Sequence, residues 1–527
     1  MGARVKTLYG GFRVEVTLEA LTFPPSVPVA PGGNRNYKFI LDVAGGSFAL
    51  NGSKPVRIGP SGLMTVQTQE TFQDQSASLE FAWGDVARAL EGMVNLNDIL
   101  TVKIGGIGDD LRVAFVGLVS NMAYSAQSTP GGVKKGFTVQ AQGIRKLFTQ
   151  SIYNWQGVLA QGDDVLVSEE ALLAFQDLVS SGSYQKDPRE IIKAFVKIGV
   201  ANSVHALYQG ARIAPGGLFD FASDGNWASM FDPENYPLTG ATINKTWDGD
   251  LWSLLQSLVY TDLHEFFWSY GEGEDGNEKP LLVHRPRPFP YADPSDPDKG
   301  ASGWAALDCL TLGKDGMPGA LGVMRQRADA GRVNAFHWSQ ESGFQDSDPG
   351  TPSTKLALGW WADQRGIAKY GFSPRPVRLG VFPRDGEDFM DGLASMLLRV
   401  ASMEAGLYLM GNESRSYGTL LPGLHVGTAL EDWTEGFPST GYVSSVSHLY
   451  KSVNRGISAS STVGLSRCLP CSNADYPNAA LGLFSLERVG YSQKNQTTPD
   501  GQHPAKIALQ ACHAPASFNA PNIACTK

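Results

Sequence analysis

The sequence is poor in the residues that most catalytic and metal-binding sites use. Its 527 residues include only eight histidines and five cysteines. His264 and Glu265 are followed by Phe-Phe-Trp, so they lack the His-Glu-x-x-His spacing that places two zinc ligands on one helical face. Residues 105–108, Gly-Gly-Ile-Gly, lack the Lys and Ser/Thr of a phosphate-binding loop and are better explained as a hairpin turn. We therefore predict no catalytic residue, no metal site and no cofactor, although folding can still bring a carboxylate pair together.

Long apolar runs and an excess of positive charge are also missing. No apolar run approaches the ~20 residues of a membrane span, and residues 1–16 lack the apolar core of a signal peptide. We therefore expect synthesis and folding in the cytoplasm and no stable membrane association. The formal net charge of −9 argues against a protein that grips phosphate backbones, but a surface along which nucleic acid passes stays open.

Cysteines are too few for a disulfide framework in a chain of this length. Cys468 and Cys471 flank Leu-Pro and are followed by Cys512 and Cys525, which together could ligate zinc or form two bridges; unpaired thiols are the alternative that the wide spacing favours. Cys309 stands alone, and we expect it to be a small buried apolar residue.

The most prominent pattern in the sequence is a β-hairpin that occurs twice. Residues 111–143 and 441–467 each contain a Val- and Ser-bearing run, a Gly-containing turn and a second run that alternates apolar with polar residues. A single alignment of the two segments matches four pairs: Val116 and Val443, Val119 and Val446, Ser120 and Ser447, and Met122 and Leu449. We interpret this as an internal duplication, with chance similarity of short alternating runs as the alternative.

Alternation of polar and apolar residues predicts a mainly β fold around these hairpins. Strands are expected at 37–43, 62–69, 76–83 and 99–104, and a short helix at 84–93. With the first hairpin they make a β-barrel over residues 37–155. Residues 1–36 end in a Pro- and Gly-rich stretch and are predicted to be an extended arm without an element of its own.

Residues 156–327 are predicted to form an inserted α+β domain with a linker. Helices are expected at 168–178 and 188–200, and a third, capped by Asp248, precedes a hairpin of strands 264–270 and 281–284. Residues 286–303 and 341–354 have linker composition. A second barrel at 328–467 is expected to contain strands 332–338, 407–410 and 424–428, a helix at 385–405 and the second hairpin. Residues 468–527 are predicted to be a loosely structured tail.

The order barrel, α+β insertion, barrel resembles the central baseplate hub proteins of long-tailed bacteriophages, the group of late control D-type tail proteins. The similar segments of the two barrels are 115–120, Phe-Val-Gly-Leu-Val-Ser, with 136–143, and 441–448, Gly-Tyr-Val-Ser-Ser-Val-Ser-His. In the insertion they are 252–255, Trp-Ser-Leu-Leu, 265–267, Glu-Phe-Phe, and 280–289, which begins Pro-Leu-Leu-Val-His. The arm and the cysteine-bearing tail depart from this pattern.

This resemblance implies a non-enzymatic structural virion protein of the tail baseplate, assembled in the host cytoplasm. Its two tail-tube-like barrels would form a pseudo-six-fold ring in a homotrimer. That ring would join a six-fold tail tube or distal tail ring protein to a three-fold spike or tip protein, with the tape measure protein as a further neighbour. DNA would be present only in passage through the lumen, whose walls are expected to be neutral or acidic.

Two other functions remain open at this point. A tail-associated enzyme that degrades the cell wall would need a cleft with a perturbed carboxylate or a metal site. A hub or spike component of a contractile injection system is expected to carry a long β-helical extension after the barrels, and the 60 residues after Arg467 are too few for one.

Overall fold

The structure is a computed structural model of the chain. It describes residues 12–19, 36–42, 45–50, 56–57, 63–82, 94–106, 110–129, 132–150, 152–155, 219–222, 247–259, 264–273, 276–287, 307–314, 317–326, 333, 335–338, 360–363, 371–377, 411–453, 456–470 and 488–489.

The described chain is built mainly of β-strands, which confirms the predicted fold class. Those of the first part are β1 Phe12–Glu19, β2 Asn36–Asp42, β3 Gly45–Leu50, β4 Val56–Arg57, β5 Leu63–Thr71, β6 Gln75–Ala82, β7 Ile99–Gly106, β8 Arg112–Thr129, β9 Gly132–Gly143 and β10 Ile152–Trp155, with helix α1 at Arg145–Gln150. The middle part contains β11 Asp220–Ala222, β12 Trp247–Asp250, α2 Leu251–Leu258, β13 His264–Glu272 and β14 Glu278–Pro286. The remaining strands are β15 Cys309–Leu312, β16 Gly322–Gln326, β17 Ala335–Trp338, β18 Trp360–Asp363, β19 Pro374–Val377, β20 Asn412–Tyr417, β21 Ala429–Asp432, β22 Ser439–Val453, β23 Gly456–Pro470 and β24 Arg488–Val489.

Most of these strands belong to one sheet of fifteen. Its order is β16-β20-β23-β22-β5-β6-β9-β8-β7-β1-β2-β3-β4, and β21 joins it beside β22 and carries β15. Three smaller sheets consist of β10-β12, β11-β14-β13 and β19-β17-β18-β24. The hairpin of β13 and β14 is packed by helix α2 as predicted, since the Trp252 ring stacks on Phe266 with centroids 4.9 Å apart.

The large sheet contains the same five-strand unit twice. Repeat A is β5 to β9, and repeat B is β16 and β20 to β23. In each repeat the first strand pairs with the second, the second with the fifth, the fifth with the fourth and the fourth with the third. The two repeats lie in tandem, because β22 of repeat B pairs with β5 of repeat A.

Matching bulges fix the alignment of the two hairpins and correct the predicted one. Thr129 pairs with Gly132 and Val453 with Gly456, so the two tight loops are equivalent. Each long ladder also has a bulge at the same distance from its loop, between Val119 and Asn121 in repeat A and between 443 and 445 in repeat B; the ladder of repeat B has a further one between 440 and 442. Val119 is therefore the counterpart of Val443, in the place that the sequence-based alignment gave to Val116. The sequence-based and the structural alignment each match Val with Val and Ser with Ser. Only the structural alignment also matches the loops and the bulges.

The turn before the third strand repeats as well. Asn97 and Gly427 both have positive φ, at 72° and 84°. Their backbone N–H groups donate to the carbonyls of Val119 at 2.8 Å and Val443 at 2.9 Å. Since Val119 and Val443 are themselves equivalent, the repeat extends beyond the hairpins to this turn.

The two repeats form two hydrophobic cores, and Leu420 and Tyr450 of repeat B lie in the core of repeat A. In β6 the residues Ala77, Leu79 and Phe81 are buried while Ser76 and Ser78 point to the other face, as strand geometry requires. The core of repeat A also includes Val14, Val16, Leu100, Val102, Phe115, Phe137 and Val139. The core of repeat B includes Leu312, Tyr417, Leu430, Val443, Val463 and Leu465.

Several sequence-based expectations are corrected. The predicted N-terminal arm contains β1, which lies between β7 and β2 because its alternating Val14, Val16 and Leu18 enter the core. The helix cap is Asp250, whose Oδ1 accepts from the backbone N–H of Ser253 at 2.9 Å; position 248 lies inside β12. Residues 424–428 form turns, and the strand begins only at Ala429.

The predicted C-terminal tail also contains ordered strands. Its first three residues complete β23, and β24 pairs with β18. The helices predicted at 84–93, 168–178, 188–200 and 385–405, the strand at 407–410, the linker at 341–354 and most of that at 286–303 lie outside the described residues.

We expect alanine at Gly427 to destabilise the protein more than alanine at Gly436. Both positions have positive φ, which costs an L-residue about 1–2 kcal/mol. A Cβ at Gly427 would also lie 2.6 Å from Phe267 and 2.8 Å from Arg285, whereas nothing lies within 4 Å at Gly436. Urea denaturation followed by circular dichroism should show an additional loss of about 1–3 kcal/mol for Gly427→Ala. Equal losses for the two variants would contradict the close packing of this turn.

Candidate functional surface

Across β5, β6, β8, β9, β16, β20, β22 and β23, one face of the large sheet carries mainly uncharged polar side chains, and we call this part the hydroxyl–amide face. It consists of Gln67, Gln69, Thr71, Ser76, Ser78, Glu80, Asn121, Ala123, Ser125, Thr138, Gln140, Gln142, Met324, Gln326, Asn412, Ser414, Ser416, Ser445, Ser447, Leu449, Lys451, Ser458, Ser460 and Thr462.

Strand register explains why these side chains share a face. Gln67 lies opposite Leu449 on one neighbouring strand and opposite Ser78 on the other, and Ser78 lies opposite Gln140. Directly paired residues of adjacent strands project to the same side of a sheet. The alternate residues, such as Val66 and Leu79, point into the cores on the opposite side. The face therefore continues from repeat B to repeat A without interruption.

The chemistry of this face is that of a hydrated, electrically neutral surface. Among the residues just named, Glu80 and Lys451 are the ionisable ones, and their formal charges cancel. Asn121 and Gln140 bond to each other through their amides, with Nδ2 to Oε1 at 3.1 Å. Affinity for nucleic acid depends on Lys and Arg contacts to phosphates, so a face of hydroxyls and amides has little attraction for a passing polyanion.

A buried ion-pair cluster joins the two repeats to the β13–β14 hairpin; we call it the His425 junction. His425 lies in the turn before β21, with Nδ1 3.1 Å from Glu70 on β5 and Nε2 3.8 Å from Glu278 on β14. Glu278 also accepts from the backbone N–H of Val113 on β8, at 2.7 Å. Three parts of the chain, distant in sequence, therefore meet at one histidine.

Electrostatics keeps this histidine protonated. Burial by itself lowers the pKa of His425, but the charge of Glu70, its hydrogen bond to Nδ1 and the charge of Glu278 outweigh it and raise the pKa to about 9. Burial also acts to raise the pKa of Glu278, but the nearby charge of His425 and the hydrogen bond from the Val113 N–H lower that pKa overall. Both partners are charged at neutral pH, and the cluster acts as a structural link.

A second buried cluster fixes the hairpin to repeat B. Arg285 Nε lies 3.2 Å from Glu265, and Arg285 Nη2 donates to the Gly427 carbonyl at 2.6 Å and to the Tyr442 hydroxyl at 2.7 Å. The Tyr442 hydroxyl in turn donates to Glu265. Burial raises the pKa of Tyr442, so the phenol stays protonated as a donor. Glu265, considered above as half of a zinc motif with His264, is thus an ion-pair partner of an arginine.

A third cluster lies inside repeat B around Arg415, whose side chain is fully buried. Arg415 lies 2.7 Å from both Glu413 and Asp432, and the Tyr417 hydroxyl donates to Asp432 at 2.6 Å. Arg325 on β16 reaches Glu413 from the edge of the sheet, with Nε 2.7 Å from its carboxylate. Sequence reasoning missed this cluster, although charged residues at alternate positions of β20, between serines, were its signal.

Cysteines do not form a site among the described residues. Cys468 is buried in the core of repeat B at the end of β23, and burial raises the pKa of its thiol, so it does not favour the thiolate that zinc needs. Cys309 is exposed, contrary to the prediction, because its neighbours Leu310 and Leu312 occupy the inward positions of β15. Residues 471, 512 and 525 lie outside the described residues.

No arrangement of His, Cys, Asp and Glu suited to holding a metal occurs in the described part of the chain. Among the described helices, none combines the length and apolar character needed to cross a bilayer.

Comparison with known proteins gives similarities at the level of solved structures. The chain is similar to a tail protein from Neisseria meningitidis, with 10% identity over 79% of this chain and 94% of that one at a TM-score of 0.38. It is similar to a 43 kDa tail protein of prophage MuSo2 from Shewanella oneidensis, with 10% identity over 86% and 98% at 0.40. A third, at 10% identity over 78% and 74% and a TM-score of 0.37, is an Escherichia coli component of the type VI secretion system. With TM-scores below 0.5, these similarities carry no argument about function. No protein-family model and no curated protein matches the sequence.

We expect the His425 junction to make stability fall as pH rises from about 6.5 to about 9. The folded-state pKa of His425, about 9, lies above the usual value of 6.5, so its contribution is complete below pH 6.5 and is lost through pH 9. The loss is about 3 kcal/mol at most, at about 1.4 kcal/mol per pKa unit. Urea denaturation of wild type and His425→Gln at both pH values measures it, and the variant should show a much smaller pH dependence.

A neighbouring histidine supplies the control. Burial and the charge of His425 lower the pKa of His448 to about 3, so His448 stays neutral across this range. Burial and the charge of Glu70 raise the pKa of Tyr270, which keeps that phenol protonated as well. His448→Gln should therefore retain the full alkaline loss. An unchanged pH dependence in His425→Gln would assign the loss to other groups.

Proposed function

We propose that this chain is a structural protein of a phage-type tail, a baseplate hub in which three copies surround a passage for DNA. The observation that carries this proposal is the tandem repeat. Two copies of one five-strand unit lie side by side in one sheet, and β22 joins β5 through paired residues from Ser445 with Thr71 to Lys451 with Thr65.

Symmetry supports the copy number. Three chains with two similar units each present six units around an axis, while the assembly keeps three-fold symmetry. Such a ring can bind a six-fold tail tube or distal tail ring protein on one side and a three-fold spike or tip protein on the other. The non-repeated residues 156–321 and 471–527 occur three times, and we assign them to the three-fold side.

The hydroxyl–amide face supports the role in DNA passage. A channel that releases DNA needs a hydrated wall without clustered cations, because each Lys or Arg contact adds affinity for phosphate. Residues such as Gln67, Gln140 and Thr462 meet this need, and we assign this face to the inner wall of the ring. The tape measure protein, which would share the lumen before ejection, would face the same neutral wall.

The buried ion-pair clusters support a structural role rather than an enzymatic one. Arg415 and His425 are both directed at carboxylates of the same chain and are almost without solvent exposure. Breaking a buried pair by removing one partner costs about 3–5 kcal/mol, so such clusters specify how neighbouring elements fit together.

The first test is the assembly state of the full-length protein. We expect light scattering to give a mass of three chains, and negative-stain averages to show six lobes around a central opening. Electron microscopy of particles from the host that carries this sequence should place antibody label at the tail end. A stable monomer, or six copies per ring, would contradict the proposal.

The second test concerns the inner wall. We expect the triple variant Gln67→Lys, Gln140→Lys and Thr462→Lys to bind duplex DNA in a salt-dependent way, since three copies would place nine added cations around one opening. Gel-shift titration at two salt concentrations measures this. The control is the triple variant Asn95→Lys, Leu96→Lys and Phe437→Lys, because these exposed positions lie outside the hydroxyl–amide face. Equal affinity of both triple variants would show that the face does not surround DNA.

A further inference from the structure

The fourth strands of the two repeats, β8 in repeat A and β22 in repeat B, have different neighbouring strands. In repeat B, one side of β22 carries β21 along residues 439–442 and β5 along residues 445–451. In repeat A, the same side of β8 carries β7 along residues 112–118. No described strand follows β7 along residues 121–129. Residues 121–129 of β8 therefore form an edge that no described strand covers, whereas the equivalent edge of β22 is covered by β5.

The first strands of the two repeats differ in the complementary way. β5 of repeat A lies between β6 and β22. Its counterpart β16 lies beside β20 at the end of the sheet, and no described strand covers its other edge. The contact present within the chain, β22 with β5, is therefore available a second time between β8 of one copy and β16 of another.

We infer that β16 of one copy pairs antiparallel with residues 123–127 of β8 in the next copy, with Met324 directly opposite Ser125. The internal repeat sets this register. Met324 is the counterpart of Gln67, since the two lie opposite Ser414 and Ser78 in equivalent strands. Ser125 is the counterpart of residue 449 in the alignment fixed by the bulges, and 449 lies opposite Gln67.

Exposed apolar side chains at these edges support the pairing independently. Met324 is 64% exposed and Leu321 80% exposed at the β16 edge, and Tyr124 is 47% exposed on β8. Large apolar residues on an uncovered strand edge favour pairing with another strand. Residues 121–129 contain no ionisable group other than the Tyr124 phenol, so this edge brings no like charge against Arg325.

The register also preserves the two faces of the sheet. Met324 and Gln326 belong to the hydroxyl–amide face, and they would lie opposite Ser125 and Ala123 of the same face. A slip by one residue would place the core side of one copy against the polar side of the next. The contact is head-to-tail, so it closes into a ring when the rotation per copy allows it. The inference rests on the proposed hub function and adds the joint that would close the ring.

Cysteine pairs test the register in the full-length protein. Met324→Cys with Ser125→Cys should crosslink between chains under mild oxidation, since directly opposed strand residues have Cβ atoms about 4.5–5.5 Å apart. Gln67→Cys with Leu449→Cys has the same geometry within one chain and is the positive control. Met324→Cys with Asn121→Cys is the offset control, because four residues displace the second thiol by about 13 Å. Wild type and each single variant, oxidised in parallel, report crosslinks through native cysteines.

We expect bands of two and three chains, and none larger, on non-reducing gels for the opposed pair, at least five-fold stronger than for the offset pair. Equal crosslinking by both pairs, or none by the opposed pair while light scattering still gives three chains, would overturn this register and leave the hub proposal standing. A monomeric mass for the uncrosslinked protein would overturn both.

Discussion

The ladder between β22 and β5 is the interaction on which the architecture depends. It runs from Ser445 with Thr71 to Lys451 with Thr65, and it joins two units that are otherwise separate in sequence. Because the ladder is continuous, the twist and register of one repeat fix those of the other. Without it, β5 and β22 would each present an additional open edge, and the core of repeat A would lose its contact with Tyr450 of β22.

The continuity of this sheet separates two kinds of surface. Core residues such as Leu79 and Val463 lie on one side, and hydroxyls and amides such as Ser78 and Thr462 lie on the other. A sheet in which each strand obeys the same alternation can be stable and still present a broad neutral surface. Stability and surface chemistry are thus set by alternate residues of the same strands.

Two of the three buried ion-pair clusters lie where the non-repeated β13–β14 hairpin meets the repeats. His425 holds Glu70 and Glu278, and Arg285 holds Glu265, each connecting the β13–β14 hairpin to the sheet. Apolar packing would tolerate small shifts between these elements, whereas a buried charge must keep its partner. The clusters therefore fix the position of the hairpin against both repeats.

The sequence by itself determined the mainly β fold, the repeated hairpin and the scarcity of catalytic residues, because alternation and composition are local properties. It also indicated the helix beside the β13–β14 hairpin, since the apolar period changes there. Only the tertiary structure decided that Val119 rather than Val116 corresponds to Val443, that β1 enters the sheet and that Cys468 is buried. A period of two leaves register undetermined, and bulges and partner strands far away in the chain select it. The carboxylates around His425 were likewise not predictable from the sequence, because no local pattern specifies which distant charges meet. For Arg415, the alternation with Glu413 on β20 was a local signal, but the pairing with the distant Asp432 was decided by the fold.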